Sequence, residues 1–230
     1  MDGMAAESNE KLMLNWFQIQ TLKSLQAQQR TGKVEKPLLL KTVESAICKC
    51  FERISGSKNA DIVFELDTHR LVLNFESADG SLQKFAMDEM SDGYKNTLSM
   101  IGDIAYRMAV LNPMLGDKVL EDTSGVVVID EIDLHLHPQW QQTIISDLNT
   151  IFPKIQFIVS SHAPAVINSV AREQIRILDN GEIYMPAAQT YGRDANSILR
   201  EVMKVSERPT DIKQRMNLFY SYTVSYTHLT

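Results

Sequence analysis

The sequence predicts an α/β fold with a parallel-sheet core and flanking helices, and three observations carry that expectation. Val126-Val127-Val128-Ile129 is an unbroken β-branched run, which suits a strand buried on both faces of a parallel sheet. Lys154–Ser161, KIQFIVSS, reads as a second buried strand, and the helical stretch Gln139–Ile151 between the two is the crossover of a βαβ unit. Ahead of them, two amphipathic helical stretches lead into three short strand-like segments that form a small antiparallel meander.

Composition bounds what such a fold can do. The chain has 230 residues, enough for one large domain or two small ones with an ample core. It is 44% hydrophobic and 23% charged, ordinary for a globular protein. A net charge of −6 excludes an overall basic footprint for nucleic acid and leaves room only for a local patch. The two cysteines, Cys48 and Cys50, stand two apart on a helical stretch and point in different directions, so no disulfide between them is expected. There is no structural zinc pattern, no CxxC, no secretory signal and no apolar run of about 18 residues, so a cytoplasmic protein without membrane contact is the simplest expectation.

Residues 1–7 read as a loose terminus. From Ser8, a candidate N-cap, to about Arg30, Leu12, Trp16, Ile19, Leu22 and Leu25 recur at helical spacing and predict an amphipathic helix with that stripe facing a partner. Gly32–Pro37 breaks it. A second helix over about Leu38–Ile54 places Leu40, Val43, Ile47 and Phe51 on one face and ends at Ser55-Gly56-Ser57. Ile62–Leu66, Leu71–Phe75 and Leu82–Ala86 are the meander strands, with turns at Asp67-Thr68-His69 and Asp79-Gly80. A long helix opens at Ser91 and runs to about Leu111, where Asn112-Pro113 stops it, and Leu115–Ser124 reads as an acidic loop. Beyond the second buried strand come a short helix to about Val170 and a hairpin, Ile175–Leu178 and Glu182–Met185, turning at Asp179-Asn180-Gly181 and extending the sheet edge. Helices are expected over Asp194–Val205 and from Pro209 to Phe219, and Tyr220–Thr230 has no apolar period.

The chemistry concentrates where the first buried strand ends. Acids at the C-terminal edge of a parallel sheet sit at the crevice where such folds bind ligands. Asp130 and Glu131 therefore have the form of a Walker B site, with Asp130 holding Mg²⁺ and Glu131 orienting and deprotonating the water that attacks a γ-phosphate. The same run would also serve as a plain strand ending in solvated acids. Met90–Asn96 places Ser91 as N-cap and Gly93 in the first turn of a helix, where free N–H groups and the dipole favour phosphate, although an ordinary capped helix has the same form. His162 follows the second strand and is expected at the same sheet edge as the acids, a candidate γ-phosphate sensor. His135 and His137 alternate with leucines in Leu134–Pro138. Nothing nearby completes a metal set except acids already wanted for Mg²⁺, so that segment reads as turn or interface structure.

Taken together and in order, these stretches resemble the C-terminal half of an ABC-type ATPase head of the SMC-like and OLD-like kind, within the P-loop NTPase fold. Ser91-Asp92-Gly93-Tyr94-Lys95 is similar to the signature LSGGQ with Asp in place of the first Gly, Val126–Glu131 resembles Walker B, Leu134–Pro138 stands where the D-loop stands, and His162 matches the switch histidine. SDGYKNTLSMIGDIAYRMAVLNP, VVVIDEIDLHLHPQWQ and FIVSSHAP look like the AAA-family ATPases of bacterial anti-phage systems, with the Septu ATPase subunit and retron-associated ATPases as the nearest kind. The resemblance covers about Phe75 to Phe219. It implies ATP and Mg²⁺ as ligands, Glu131 and His162 as catalytic groups, and Asp130 as the metal-organising acid. It further implies that Ser91, Asp92 and Gly93 reach the nucleotide of a second protomer in a homodimer, with Asp133 and His135 along the seam. An effector partner, such as a nuclease acting on DNA, follows from the same resemblance.

It also implies a division into a helical arm remnant at 1–57, an ATPase lobe at 58–219 and a tail at 220–230, whose SYTHLT looks like translated adapter sequence and makes His228 a poor candidate. The main departure is that no G-x-x-x-x-G-K-[ST] occurs in the chain, so the phosphate cradle is missing and the chain is expected to be a fragment with an exposed sheet edge. Two other functions compete: a non-catalytic dimerisation module of ATPase fold, and a metal nuclease using Asp130, Glu131, Asp133, His135 and His137.

Overall fold

The computed structural model describes residues 2–32, 36–205, 211–212 and 214–216, with backbone alone for residues 2–10 and 31. The tail at 220–230 and both ends of the helix expected over Pro209–Phe219 lie outside the described residues. The chain forms two compact units, Met1–Ser161 and His162–Thr230.

In the first unit, helix α1 (Asp2–Thr31) starts well before Ser8, so residues 2–7 are helical and Ser8 is inside the helix rather than its cap. The expected stripe is also not the buried face. Leu12, Ile19, Leu22 and Leu25 are exposed, whereas Phe17 is fully buried, with Trp16 edge-on to it and to Tyr106. The stripe is a regular apolar ridge, but the buried side of α1 runs through Phe17 instead. Helix α2 (Leu38–Ser55) buries the predicted face, Leu40, Val43, Ile47 and Phe51, and ends at Gly56, whose φ of 70° is the left-handed cap conformation that glycine adopts without strain. Cys48 and Cys50 are both free thiols.

The meander forms as read: β1 (Lys58–Glu65), β2 (Arg70–Glu76) and β3 (Leu82–Ala86) pair antiparallel in that order, with β1 starting four residues earlier than the sequence suggests. Ile62, Phe64, Leu71, Val72, Leu73 and Phe75 are buried. Helix α3 (Asp92–Leu111) packs against α2, and Gly102 lets Ile47 come within 3.2 Å of where a Cβ would be. The expected acidic loop is instead a 3₁₀ segment, Pro113–Lys118, followed by a short helix α4 (Val119–Asp122), because Val119 and Leu120 are apolar enough to dock and become buried.

Strand β4 (Gly125–Ile129) pairs parallel with β5 (Ile155–Val159), in register Ile129 to Val159, and this confirms the βαβ unit. Burial on both faces is not found: Val126, Val128 and Ile158 are 59%, 73% and 52% exposed, while Val127, Ile129, Phe157 and Val159 on the other face are half-buried. Among the described residues this sheet has two strands, and Val126, Val128 and Ile158 leave its outer face exposed. The crossover helix is interrupted into α5 (Pro138–Gln141) and α6 (Ile144–Ile151), and the Thr143 N–H donates to the Trp140 carbonyl across the break. Arg53 Nε donates to Asp147 Oδ1 at 2.6 Å, tying α2 to α6 through a buried carboxylate.

The second unit begins with α7 (Pro164–Ile167) and continues into the hairpin β6 (Ile177–Asp179) and β7 (Glu182–Tyr184). Its turn has Asn180 and Gly181 at φ 49° and 82°, the pair of left-handed residues such a turn demands. The hairpin pairs only with itself among the described residues and does not extend the β4–β5 sheet. The helix expected over Asp194–Val205 is a single turn, α8 (Ala195–Ser197), capped by the Asp194 carboxylate, running into a π-turn at Ile198–Val202. No helix among the described residues is long and apolar enough to cross a membrane.

Candidate functional site

At the end of β4 the parallel register brings Asp130 opposite Ser160, and Ser160 is tied to the acid-bearing segment through all of its polar groups. Its N–H donates to the Ile129 carbonyl at 3.0 Å and its carbonyl accepts from the Ile132 N–H at 3.0 Å. Its hydroxyl accepts from the Glu131 N–H at 2.8 Å and donates to an Asp130 carboxylate oxygen. Sequence reading assigned Ser160 no role. The signal was present in the parallel register, since the hydroxyl two residues before His162 must lie across from the first acid.

Glu131 occupies the left-handed region, φ 51°, and His135 does the same at φ 63°. Non-glycine residues seldom adopt this conformation, and when they do at a strand end the surrounding bonds are holding them there. Between these two reversals the chain turns tightly: Leu134 N–H donates to Glu131 O and Leu136 N–H to Asp133 O, while Ile132 and Leu136 are buried and anchor the loop. Gln141 Nε2 donates to the Leu136 carbonyl at 3.1 Å, and His137 Nδ1 accepts from the Gln139 N–H at the start of α5. His135 and His137 thus shape a turn, and among the described residues no group of three or more His, Cys, Asp or Glu could hold a metal ion.

The start of α3 packs directly on this loop. Ser91 takes the N-cap position with extended backbone, but its side chain makes no capping bond. Ser91 and Asp92 are exposed. Gly93 is buried, and the close approach it permits is to its own chain: a Cβ there would lie 2.7 Å from the His135 carbonyl oxygen and 3.2 Å from the Trp140 ring. Tyr94 adds an edge contact with Trp140, centroids 4.3 Å apart, and also meets Phe51, which packs on Phe75 of β2. The two stretches singled out for nucleotide chemistry in this unit, 91–93 and 130–135, are therefore adjacent and backed by the meander core.

Asp130, Glu131 and His135 are exposed, and Asp133 is half-buried. A single open carboxylate fits Mg²⁺ arriving with a nucleotide, since that ion commonly takes one or two carboxylates with phosphates and waters. The described residues do not build an all-protein cage. His162 opens the second unit and is exposed there, ahead of Ala163 and α7.

The AAA_21 family model, described as "AAA domain, putative AbiEii toxin, Type IV TA system", matches residues 48–168, more than half of the chain. The chain belongs to this family. Within it, the chain is 42% identical over 124 residues to the Retron Vc95 probable ATPase of Vibrio cholerae serotype O1 biovar El Tor, covering 52% of this chain and 24% of that protein. It is 40% identical over 125 residues to the Retron Ec83 probable ATPase of Escherichia coli, covering 54% of this chain and 23% of that one. Septu protein PtuA of Bacillus mycoides (strain KBAB4) is 36% identical over 96 residues, 42% of this chain and 13% of its own length. The AAA_21 chain thus spans about a quarter of the retron relatives and less of PtuA. Among solved structures, an SMC ATPase chain aligns with TM-score 0.41 at 14% identity, over 71% of this chain and 92% of that one. The Smc head domain of Pyrococcus furiosus aligns with TM-score 0.38 at 16% identity, over 71% and 38%. The protein is an AAA-domain relative of proteins named as probable ATPases, a mixed helix–strand fold with a parallel sheet.

Proposed function

We propose that this chain is the lobe of an ATP-hydrolysing protein that carries Walker B, the signature segment and the switch histidine. ATP is held between two protomers, and its turnover drives an anti-phage or DNA-processing effector such as a nuclease. The observation that supports this most is the acid pair at the end of parallel β4, with Asp130 oriented by Ser160 and Glu131 held in a left-handed reversal that opens the loop packed, through His135, on Gly93 of α3. Asp130 would hold Mg²⁺, whose charge neutralises that developing on the transferring phosphoryl group. Glu131 would orient a water and take its proton, and His162 would contact the γ-phosphate. The exposed N-terminal turn of α3, with Ser91 and Asp92, would face the nucleotide of the second protomer, with Asp133 and His135 near the seam. The phosphate cradle would come from sequence outside these residues, since no G-x-x-x-x-G-K-[ST] is among them.

Glu131→Gln in the full-length protein tests this. The carboxamide keeps the shape and loses the base, so ATP and the ATP-bound dimer accumulate while turnover falls by about 10²- to 10⁴-fold. Hydrolysis at the parental rate would remove Glu131 from the role. A second reading is a dimerisation module of ATPase fold that does not hydrolyse ATP. It requires that molecular mass in solution be the same with and without ATP and Mg²⁺.

A further inference from the structure

We propose that Ser160 is a positioning residue for the Asp130–Glu131 pair, a role that rests on the ATP-hydrolysis reading above. A carboxylate oxygen only accepts and a backbone N–H only donates, so the direction of both side-chain bonds is fixed. The single hydroxyl proton goes to Asp130, and a hydroxyl lone pair receives the Glu131 N–H. One oxygen atom therefore sets the orientation of the carboxylate expected to meet the metal and pins the backbone reversal that aims the expected base.

Glu131 at φ 51° is otherwise an unfavourable conformation for a residue with a side chain. The backbone bonds from Ser160 to Ile129 and Ile132 hold the strand ends together without the hydroxyl. Removing that hydroxyl thus separates positioning from pairing: β4 and β5 keep their register, Asp130 loses its donor, and the Glu131 N–H loses its acceptor.

The test uses the full-length protein with Ser160→Ala and Ser160→Thr, and reads two quantities. One is steady-state ATP turnover, split into kcat and KM. The other is Mn²⁺ affinity in the presence of ATP, followed by electron paramagnetic resonance in a Glu131→Gln background, where no hydrolysis intervenes. Ser160→Ala is expected to weaken Mn²⁺ binding and lower kcat by about 10- to 100-fold, the usual effect of losing a group that orients a metal ligand. Ser160→Thr, which keeps the hydroxyl, is expected to restore most of both. If Ser160→Ala fails to accumulate as folded protein, Ser160→Cys, which keeps the volume and loses most of the hydrogen-bonding strength, reads the same two quantities.

Parental Mn²⁺ affinity and kcat in the alanine variant, while Glu131→Gln still blocks turnover, would overturn the role of Ser160 and leave the hydrolytic reading standing. Parental turnover in Glu131→Gln would instead remove Glu131 from the role of base. The Mn²⁺ measurement would then decide independently whether Ser160 orients Asp130.

Discussion

The first unit contains two sheets, and the more apolar strand is not in the better-covered one. In the meander, β2 lies between β1 and β3, α2 packs on β1, and Leu71, Val72, Leu73 and Phe75 are buried. In the parallel pair, β4 is almost wholly β-branched, yet Val126 and Val128 face solvent together with Ile158, and neither outer edge is paired among the described residues. The residues of a strand set its propensity to be covered, and the neighbouring layers decide whether it is. The pair that carries the candidate chemistry is the less covered of the two, held by its inner face, by the bonds around Ser160 and by the contact of Gly93 with the 131–137 loop.

The largest difference should appear in stability. Leu73→Ala removes a fully buried side chain from the central meander strand and is expected to destabilise the chain by about 2–5 kcal/mol in chemical denaturation. Val128→Thr in the parallel pair should change stability by no more than about 0.5 kcal/mol, because most of the side chain is already in water. Equal losses at the two positions would mean that the outer face of β4 is covered in solution. Replacing Val126 and Val128 by lysine should then reveal the other property of an open apolar face: less concentration-dependent association of the isolated chain in light scattering, with the unfolding midpoint unmoved.

A smaller effect is expected where the two regions meet. Gly93→Ala would place a methyl 2.7 Å from the His135 carbonyl oxygen, which is backbone and must shift to admit it. The expected loss is about 1–3 kcal/mol, as for other overpacked sites. The displacement should register as a change in Trp140 fluorescence, since that ring lies 3.2 Å from the added carbon. An alanine variant with parental stability and an unchanged emission spectrum would show that the loop yields freely.

Much of this was legible in the sequence because local chemistry decided it. Gly56 and Asn180-Gly181 occupy left-handed positions that few other residues accept, the four apolar residues of α2 fall on one face, and the βαβ order required β4 and β5 to be parallel. What was not legible depended on distant partners. The α1 stripe and the outer face of β4 have the periodicity of buried surfaces without a layer to bury them. Ser8 has the chemistry of a cap, but the helix propagates past it. Of the candidate site, Asp130 and Glu131 announced themselves by type and position. The structure shows that Gly93 serves an internal contact with His135, which no spacing rule reveals. Ser160 was hidden because its importance lies in register across two strands.

The smallest expected effect at neutral pH concerns thiols, and it reports coverage directly. Burial, reinforced by the negative charge of Asp147, pushes the Cys50 thiol up from its ordinary value near 9 to about 12, and burial does the same to Cys48 on the same helix. A thiolate is the reactive form, so both cysteines should alkylate far more slowly in the native chain than in the unfolded one at pH 8. A thiol introduced by Val128→Cys on the open face should react as an ordinary exposed cysteine. The raised values also have a consequence for stability. The folded state holds these protons more tightly than the unfolded chain, so their contribution is fully present below pH 9. It is lost as the pH rises from about 9 toward 12, at about 1.4 kcal/mol per pH unit for each thiol. Replacing Cys50 with alanine should flatten that alkaline fall in a denaturation series. An unchanged slope, or native Cys50 reacting as fast as Val128→Cys, would mean that the packing around Cys50 on α2 opens as readily as the outer face of β4.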